Sequence, residues 1–389
     1  MAVLLGAKPP IVFEEFALLT SQTWTAPRTG TIKVSCSGGG GQGGVDVGEY
    51  TSQEAAKCTG GGAGGFSQKV ISVKVGDTFT VVVGAGGRNS NTNPTSATAG
   101  TAGGESTFAD ATAISDIDLD SNGGAGGAAN NATTQTTVAG GAGGTATGGD
   151  INVTGGAGGA VVMNTNSSRH FATGGGAVGV YGVGYAGGGA NTRGNAAGIF
   201  STGGGGVGGR GGNVANTTNN ETFGGANAGG GAAKASGDDI TFTANNSGIP
   251  TADLAYAGFN YDFPVETNLS QVTPVGTNID GEGDQFSVGN NGGVNAKGPG
   301  RGGAGVVGSI ALQTQYVVSG PAQVGAFAGG GGVAVTRNTN SVGVNSNRDF
   351  AQSQGGVGGG GSGGFICQVT NNKEWRGGGG GAVIISYIG

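Results

Sequence analysis

Apolar and polar residues alternate in a few short stretches of this chain, and those stretches predict β-strands. From Thr29 to Ser37, Ile32, Val34 and Cys36 fall on one face, and Thr31, Lys33 and Ser35 on the other. That is the period of a half-buried strand. Lys69 to Val75 predicts a second strand, with Ile71, Val73 and Val75 on one side, and Phe79, Val81 and Val83 mark a third. Between these two stand Gly76 and Asp77. Glycine accepts positive φ at the first central position of a type II′ turn, so the pattern predicts a hairpin. "GAVIISYIG" predicts a closing strand, and Ser309 to Ser319 another with Ile310, Leu312, Tyr316 and Val318 on one face. Ile240 to Thr243 and Phe286 to Val288 are shorter candidates. No segment carries a helical period, and glycine disfavours helix by about 1 kcal/mol per residue relative to alanine.

Glycine fills the space between the strands. It supplies 95 of 389 residues, in blocks at 38–44, 60–65, 123–127, 140–144, 155–159, 203–212, 224–231, 298–305, 329–332, 355–364 and 377–381. Such a composition suggests disorder. Disordered chains, however, carry many charges, and here charged residues are 10% against 35% hydrophobic. The blocks lack the strict third-residue glycine of collagen. They also lack the repeated Asp of calcium-binding nonapeptides. A glycine chain in the polyproline II conformation has three residues per turn and points its N–H and C=O groups outward. Several such rods, about 22 Å long for seven residues, can approach closely and exchange those bonds. The fold class read here is mainly β: short strands and hairpins with packed polyglycine II helices and almost no α-helix. The alternative is flexible glycine linkers between strands.

The chemistry-bearing residues are few. Net charge is −6 and the 17 basic residues are scattered, so no basic face is available for nucleic acid. No apolar run approaches the ~18 residues of a membrane span. Residues 1–16 do not read as a secretion signal, because Lys8 follows the apolar run and Pro9, Pro10, Glu14 and Glu15 interrupt what comes next. Cys36, Cys58 and Cys367 are odd in number and lack metal spacing, and read as free thiols. His170 is the single histidine and stands in no catalytic motif. "GGAGG" lacks the Lys-Ser/Thr of a phosphate loop. Asp116 to Gly124 sets carboxylates at alternate positions without the Gly and Glu of a calcium loop, and reads as a solvated acidic loop; Asp280 to Asp284 is similar. The expectation is a protein without catalytic activity, metal or cofactor.

Aromatic residues mark the contact candidates. Residues 245–292 are glycine-poor and carry Tyr256, Phe259, Tyr261 and Phe263; they are a recognition lobe or a small β-unit with its own core. Tyr181 and Tyr185 stand between glycines, which cannot bury a ring, and form a contact patch or a subunit seam. Trp375 is a third candidate, or a cap over the final strand.

The order "TWTAPRTGTIKVSCSGGGG", "GGAGGFSQKVISVKVGDTFTVVVGAGG", "GGESTF" and a terminal "GGGGGAVIISYIG" resembles the glycine-rich domain of bacteriophage tail-fibre and virion proteins. The likeness covers about residues 20–110 and 355–389. The glycine blocks and variable segments between are similar to the distal tail-fibre adhesins of T-even-like phages. The resemblance implies a virion protein that binds a host surface receptor, a polysaccharide or outer-membrane protein, through loops on a polyglycine II scaffold. Its partners would be other virion tail proteins and copies of itself, a trimer by preference. The expected organisation is a docking segment at 1–20, a β/glycine-rich domain at 21–110, a polyglycine II region at 111–244, the aromatic lobe at 245–292 and a glycine-rich region at 293–389. The rival readings are a virion subunit without a receptor and an ice-binding protein. The latter needs a regular Thr-rich face, and the threonines are irregular.

Overall fold

A computed structural model describes residues 14–48, 55–88, 97–111, 117–132, 134–164, 169–179, 184–192, 198–206, 209–216, 222–225, 240–242, 306–309, 327–330, 332–336, 349–350, 354–367, 373–374 and 377–388. Among them there is no helix. The strands in chain order begin with β1 (Glu15–Leu18), β2 (Gln22–Thr25), β3 (Gly30–Ser37), β4 (Val45–Gly48), β5 (Ala56–Cys58), β6 (Phe66–Val73), β7 (Thr78–Val82), β8 (Ser106–Asp110) and β9 (Asp118–Ser121). Next come β10 (Ala129–Asn130), β11 (Thr136–Val138), β12 (Ala146–Thr147), β13 (Ile151–Val153), β14 (Val161–Met163), β15 (Arg169–Ala172), β16 (Ala190–Thr192), β17 (Gly198–Ser201), β18 (Val214–Asn216) and β19 (Thr222–Gly225). The last are β20 (Ile240–Phe242), β21 (Val306–Ser309), β22 (Val333–Thr336), β23 (Asp349–Phe350), β24 (Gly364–Cys367), β25 (Lys373–Glu374) and β26 (Ala382–Tyr387).

Two antiparallel sheets form a sandwich. One runs β1-β26-β3-β6-β13, the other β12-β9-β8-β7-β2. The alternating apolar faces meet between them: Ile32, Val34, Ile71, Val73, Phe79, Val81, Phe108, Leu119, Val383 and Ile385 share one core. Trp24, Phe79 and Phe108 cluster in it, Phe79 stacked on Phe108 at 4.6 Å. The strand at 382–387 lies between β1 and β3 and is packed on both faces, Val383 and Ile385 in the sandwich core and Ile384 in a second cluster with Phe66, Val178 and Phe327, which is why 382–385 are continuously apolar. Of the expected docking segment 1–20, residues 15–18 are the edge strand β1.

The expected hairpin at residues 69–83 does not form. β6 pairs with β3 and β13, whereas β7 pairs with β2 and β8. The chain crosses from one sheet to the other, so both apolar faces turn inward. The turn is also shifted by one residue. Asp77 N donates to Lys74 O (3.1 Å), and Gly76 takes φ +92° at the third position, as in a type II turn. Val75, expected inside, sits at the turn and is 65% exposed. Within the acidic stretch 116–124, residues 118–121 form a strand rather than a loop: in β9 Asp118 and Asp120 take the outward positions and Leu119 fills the core.

The glycine blocks leave the sandwich as rods. From rod 38–44, Gly38, Gly41 and Gly44 donate to Gly65, Gly62 and Thr59 O (2.8–3.0 Å). The residues one further along, Gly39, Gln42 and Val45, donate to Gly104, Thr101 and Thr98 O. The repeat of three, with neighbours changing at each residue, is that of a threefold extended helix. Rod 38–44 is bonded to six others: 59–65, 84–87, 97–104, 122–128, 358–363 and 377–381. Rods 59–65 and 172–178 likewise have six neighbours each. These pairings build a hexagonal array of four layers. The first holds rods 97–104, 122–128 and 139–145; the second 84–87, 38–44, 59–65 and 155–159; the third 377–381, 355–363, 172–178 and 184–190; the fourth 327–330, 202–206 and 209–213. Four rods (84–87, 97–104, 172–178, 184–190) were not legible as glycine blocks. The blocks 224–231 and 298–305 lie outside the described residues except Gly224 and Gly225, in β19. Neighbours run both ways: 38–44 is antiparallel to 59–65 and parallel to 122–128.

On outer rods the position facing solvent is a small side chain, Ala125 and Ala128 on one rod and Ala139 and Ala142 on the next. Within the array, Gly184, Gly187, Ala190, Thr202 and Gly205 each donate to the residue thirty positions earlier. Two consecutive rod pairs are thus copies of one unit stacked side by side, as in solenoids.

Candidate functional site

The array has two unlike poles. The sandwich pole brings the first and last strands together: Tyr387 N donates to Glu14 O (2.9 Å) and Tyr387 Oη to Arg28 O (2.9 Å). The Arg28 guanidinium lies 4.3 Å over the Tyr387 ring and reaches Glu14 (3.5 Å). Burial pushes the Tyr387 phenol up. No feature of the sequence had pointed to this clamp.

At the other pole most rods pass into a strand. Rods 38–44, 355–363 and 327–330 lead to β4, β24 and β22, which with β21 form one parallel sheet. β5, β15 and β17 lead back into rods 59–65, 172–178 and 202–206; β14, β16 and β18 follow rods 155–159, 184–190 and 209–213. In the sequence, segments 49–54, 131–135, 165–168, 193–197 and 217–221 join strands at this pole and 89–96 joins rods 84–87 and 97–104; Asn, Thr, Ser and Gln predominate in these segments, of which 131, 132, 134 and 135 are among the described residues. This loop pole is the candidate site.

Three junctions at the pole share a device and a sequence. Thr-Gly-Gly-Gly recurs at 59–62, 173–176 and 202–205. The Thr173 hydroxyl accepts from Gly60 N (2.9 Å) and donates to Gly159 O; the Thr202 hydroxyl accepts from Gly174 N (3.1 Å) and donates to Gly188 O. Thr59 accepts from Ala128 N (2.8 Å). Each threonine replaces a rod-to-rod bond where strand geometry takes over. The repeated tetrapeptide was the available signal for it.

The two described thiols are buried. Burial pushes Cys36 up to about 12, partly offset by the Ser121 hydroxyl. Burial, and then the Asp46 carboxylate, raise Cys58. Neither is disposed to ionise as a nucleophile. His170 lies on β15.

Of the residues singled out in sequence, Tyr181, Tyr256, Phe259, Tyr261, Phe263 and Trp375 lie outside the described residues. Tyr185 is half-buried at the sandwich end of its rod, its carbonyl accepting from Ala177 N (2.9 Å). It therefore stands away from the loop pole. The stretch 245–292 follows β20, which runs outward at that pole beside β18.

The model of a family described as "Glycine-rich domain" matches residues 17–252. The chain belongs to the glycine-rich domain family. The match runs from within β1 to beyond β20, so it covers most of the array. The strand at 382–387, outside it, completes the glycine-rich domain's first sheet. No curated protein matches the sequence.

Proposed function

We propose that this glycine-rich domain is a bacteriophage virion protein, a tail-fibre or tail-tip component that holds a host-surface receptor at its loop pole. The observation that carries the reading is polarity. Glu14 and Tyr387 meet at the sandwich, and the strands at the opposite end of the cross-bonded bundle are joined by segments of polar sequence. Loops on a rigid scaffold are the usual carriers of recognition. Asn, Thr, Ser and Gln side chains offer both donors and acceptors, which suits a polysaccharide or the outer face of a membrane protein. The aromatic stretch 245–292 supplies large contact area at low entropic cost. Virion tail proteins attach at the sandwich pole, and a trimer multiplies weak contacts by copy number.

Adsorption of the labelled full chain to a panel of bacterial cells tests this. Replacing Tyr256, Phe259 and Tyr261 together by Ala is expected to weaken adsorption at least about tenfold. If the wild-type protein adsorbs to no bacterial surface, the adhesin reading gives way to a purely structural virion subunit.

A further inference from the structure

One connection at the loop pole is set from inside the molecule. Lys57, on β5, is 0% exposed. Register places it beside Asn130 on β10 and Phe171 on β15. Its ammonium donates to the carbonyls of Ala132 (2.5 Å) and Thr134 (3.2 Å) in the turn joining rods 122–128 and 139–145. The same turn is held from its own side by Ala132 N donating to Asn130 Oδ1 (2.8 Å). Asn131, Ala132 and Thr134 are exposed. A buried charge is expensive and is retained where its hydrogen bonds are met. The cost here falls on the interior, while the groups it orders are those of a surface turn. By tying two carbonyls of the turn to one ammonium, the lysine gives that turn one fixed shape.

We propose that Lys57 is a positioning residue for a polar contact site formed by Asn131 and Thr134, and that the ligand class is bacterial surface carbohydrate. This rests on the adhesin reading above. The Asn131 amide and Thr134 hydroxyl both donate and accept, as sugar hydroxyls require. Holding them in advance removes the ordering cost of binding.

The test uses the full chain with Lys57→Met, and separately Asn131→Ala/Thr134→Ala, which leaves the interior untouched. In Lys57→Met, amide exchange at 131–135 is expected to quicken at least about tenfold while Gly60–Gly65 keeps its protection. Binding to an array of purified bacterial surface polysaccharides is expected to fall about tenfold in both variants. Unchanged exchange at 131–135 overturns the positioning role. Full polysaccharide binding by Asn131→Ala/Thr134→Ala overturns the contact site, as does wild-type binding to outer-membrane proteins alone. If Lys57→Met does not fold, the double variant decides the contact site. If wild-type protein binds neither cells nor polysaccharide, the adhesin reading fails, while the exchange measurement still judges Lys57.

Discussion

At Gly62 an added methyl carbon would stand 2.0 Å from the Ala142 carbonyl oxygen. Gly40, Gly60 and Gly176 meet neighbouring backbone at 1.9–2.0 Å in the same way. The obstacle is main chain, which cannot swing aside as a side chain can. Glycine is required at these sites by close approach, not by a left-handed φ. Gly380 is the contrast: it is exposed, and its nearest neighbour would be 3.7 Å away. Gly62→Ala is expected to cost about 3 kcal/mol or more through overpacking. Gly380→Ala should stay within about 0.5 kcal/mol of wild type, its lost chain entropy in the unfolded state offsetting any small strain. Urea unfolding of the two variants measures the difference, and equal costs would mean that the rods are not in contact.

At the scale of the element, the junction from strand to rod is the weak point of the design. A strand bonds to two neighbours in a plane, whereas an interior rod bonds to six, so some amides change partner at each transition. Thr59, Thr173 and Thr202 absorb that mismatch with hydroxyls that accept on one side and donate on the other. Thr173→Val keeps the shape but leaves the buried Gly60 N–H without its acceptor. It is expected to lower stability by about 1–3 kcal/mol and to speed exchange of the Gly60 amide. A neutral Thr173→Val would place the junction's strength elsewhere. The crossing between β6 and β7 belongs to the same scale. Two alternating strands around a glycine turn can pair with each other or face each other, and alternation is the same for both. Burial of both apolar faces in one core selects the second.

For the whole molecule, the first and last strands, β1 and β26, pair in the first sheet. β26 lies between β1 and β3, and contributes Val383, Ile385 and Tyr387 to the sandwich core. Each buried apolar side chain contributes roughly 1.5–3 kcal/mol, against a net stability of about 5–15 kcal/mol for a folded domain. A chain ending at Gly381 is therefore expected to show no cooperative thermal transition. A cooperative melt near that of the full chain would mean that the rods fold without the sandwich. Rods and sandwich should otherwise melt together, because rods 38–44, 59–65 and 377–381 continue directly into β3, β6 and β26.

The residues alone determined the principal sandwich strands, β3, β6, β7 and β26, and most of the glycine rods. Ile32, Val34 and Cys36 announce a buried face by their spacing, and glycine runs with few charges announce backbone-on-backbone packing. Part of the site was legible too: the connections at the loop pole are polar in sequence, and Thr-Gly-Gly-Gly repeats at its junctions. Which strands pair, and which rods touch, was not legible. A glycine rod has no side chain to name its neighbour, so every rod is sterically acceptable to every other. Nothing in the sequence around Lys57 marks it as buried. Tertiary structure decided these matters, because the neighbour of each rod is set by the strand it continues and by the amides left to satisfy around it.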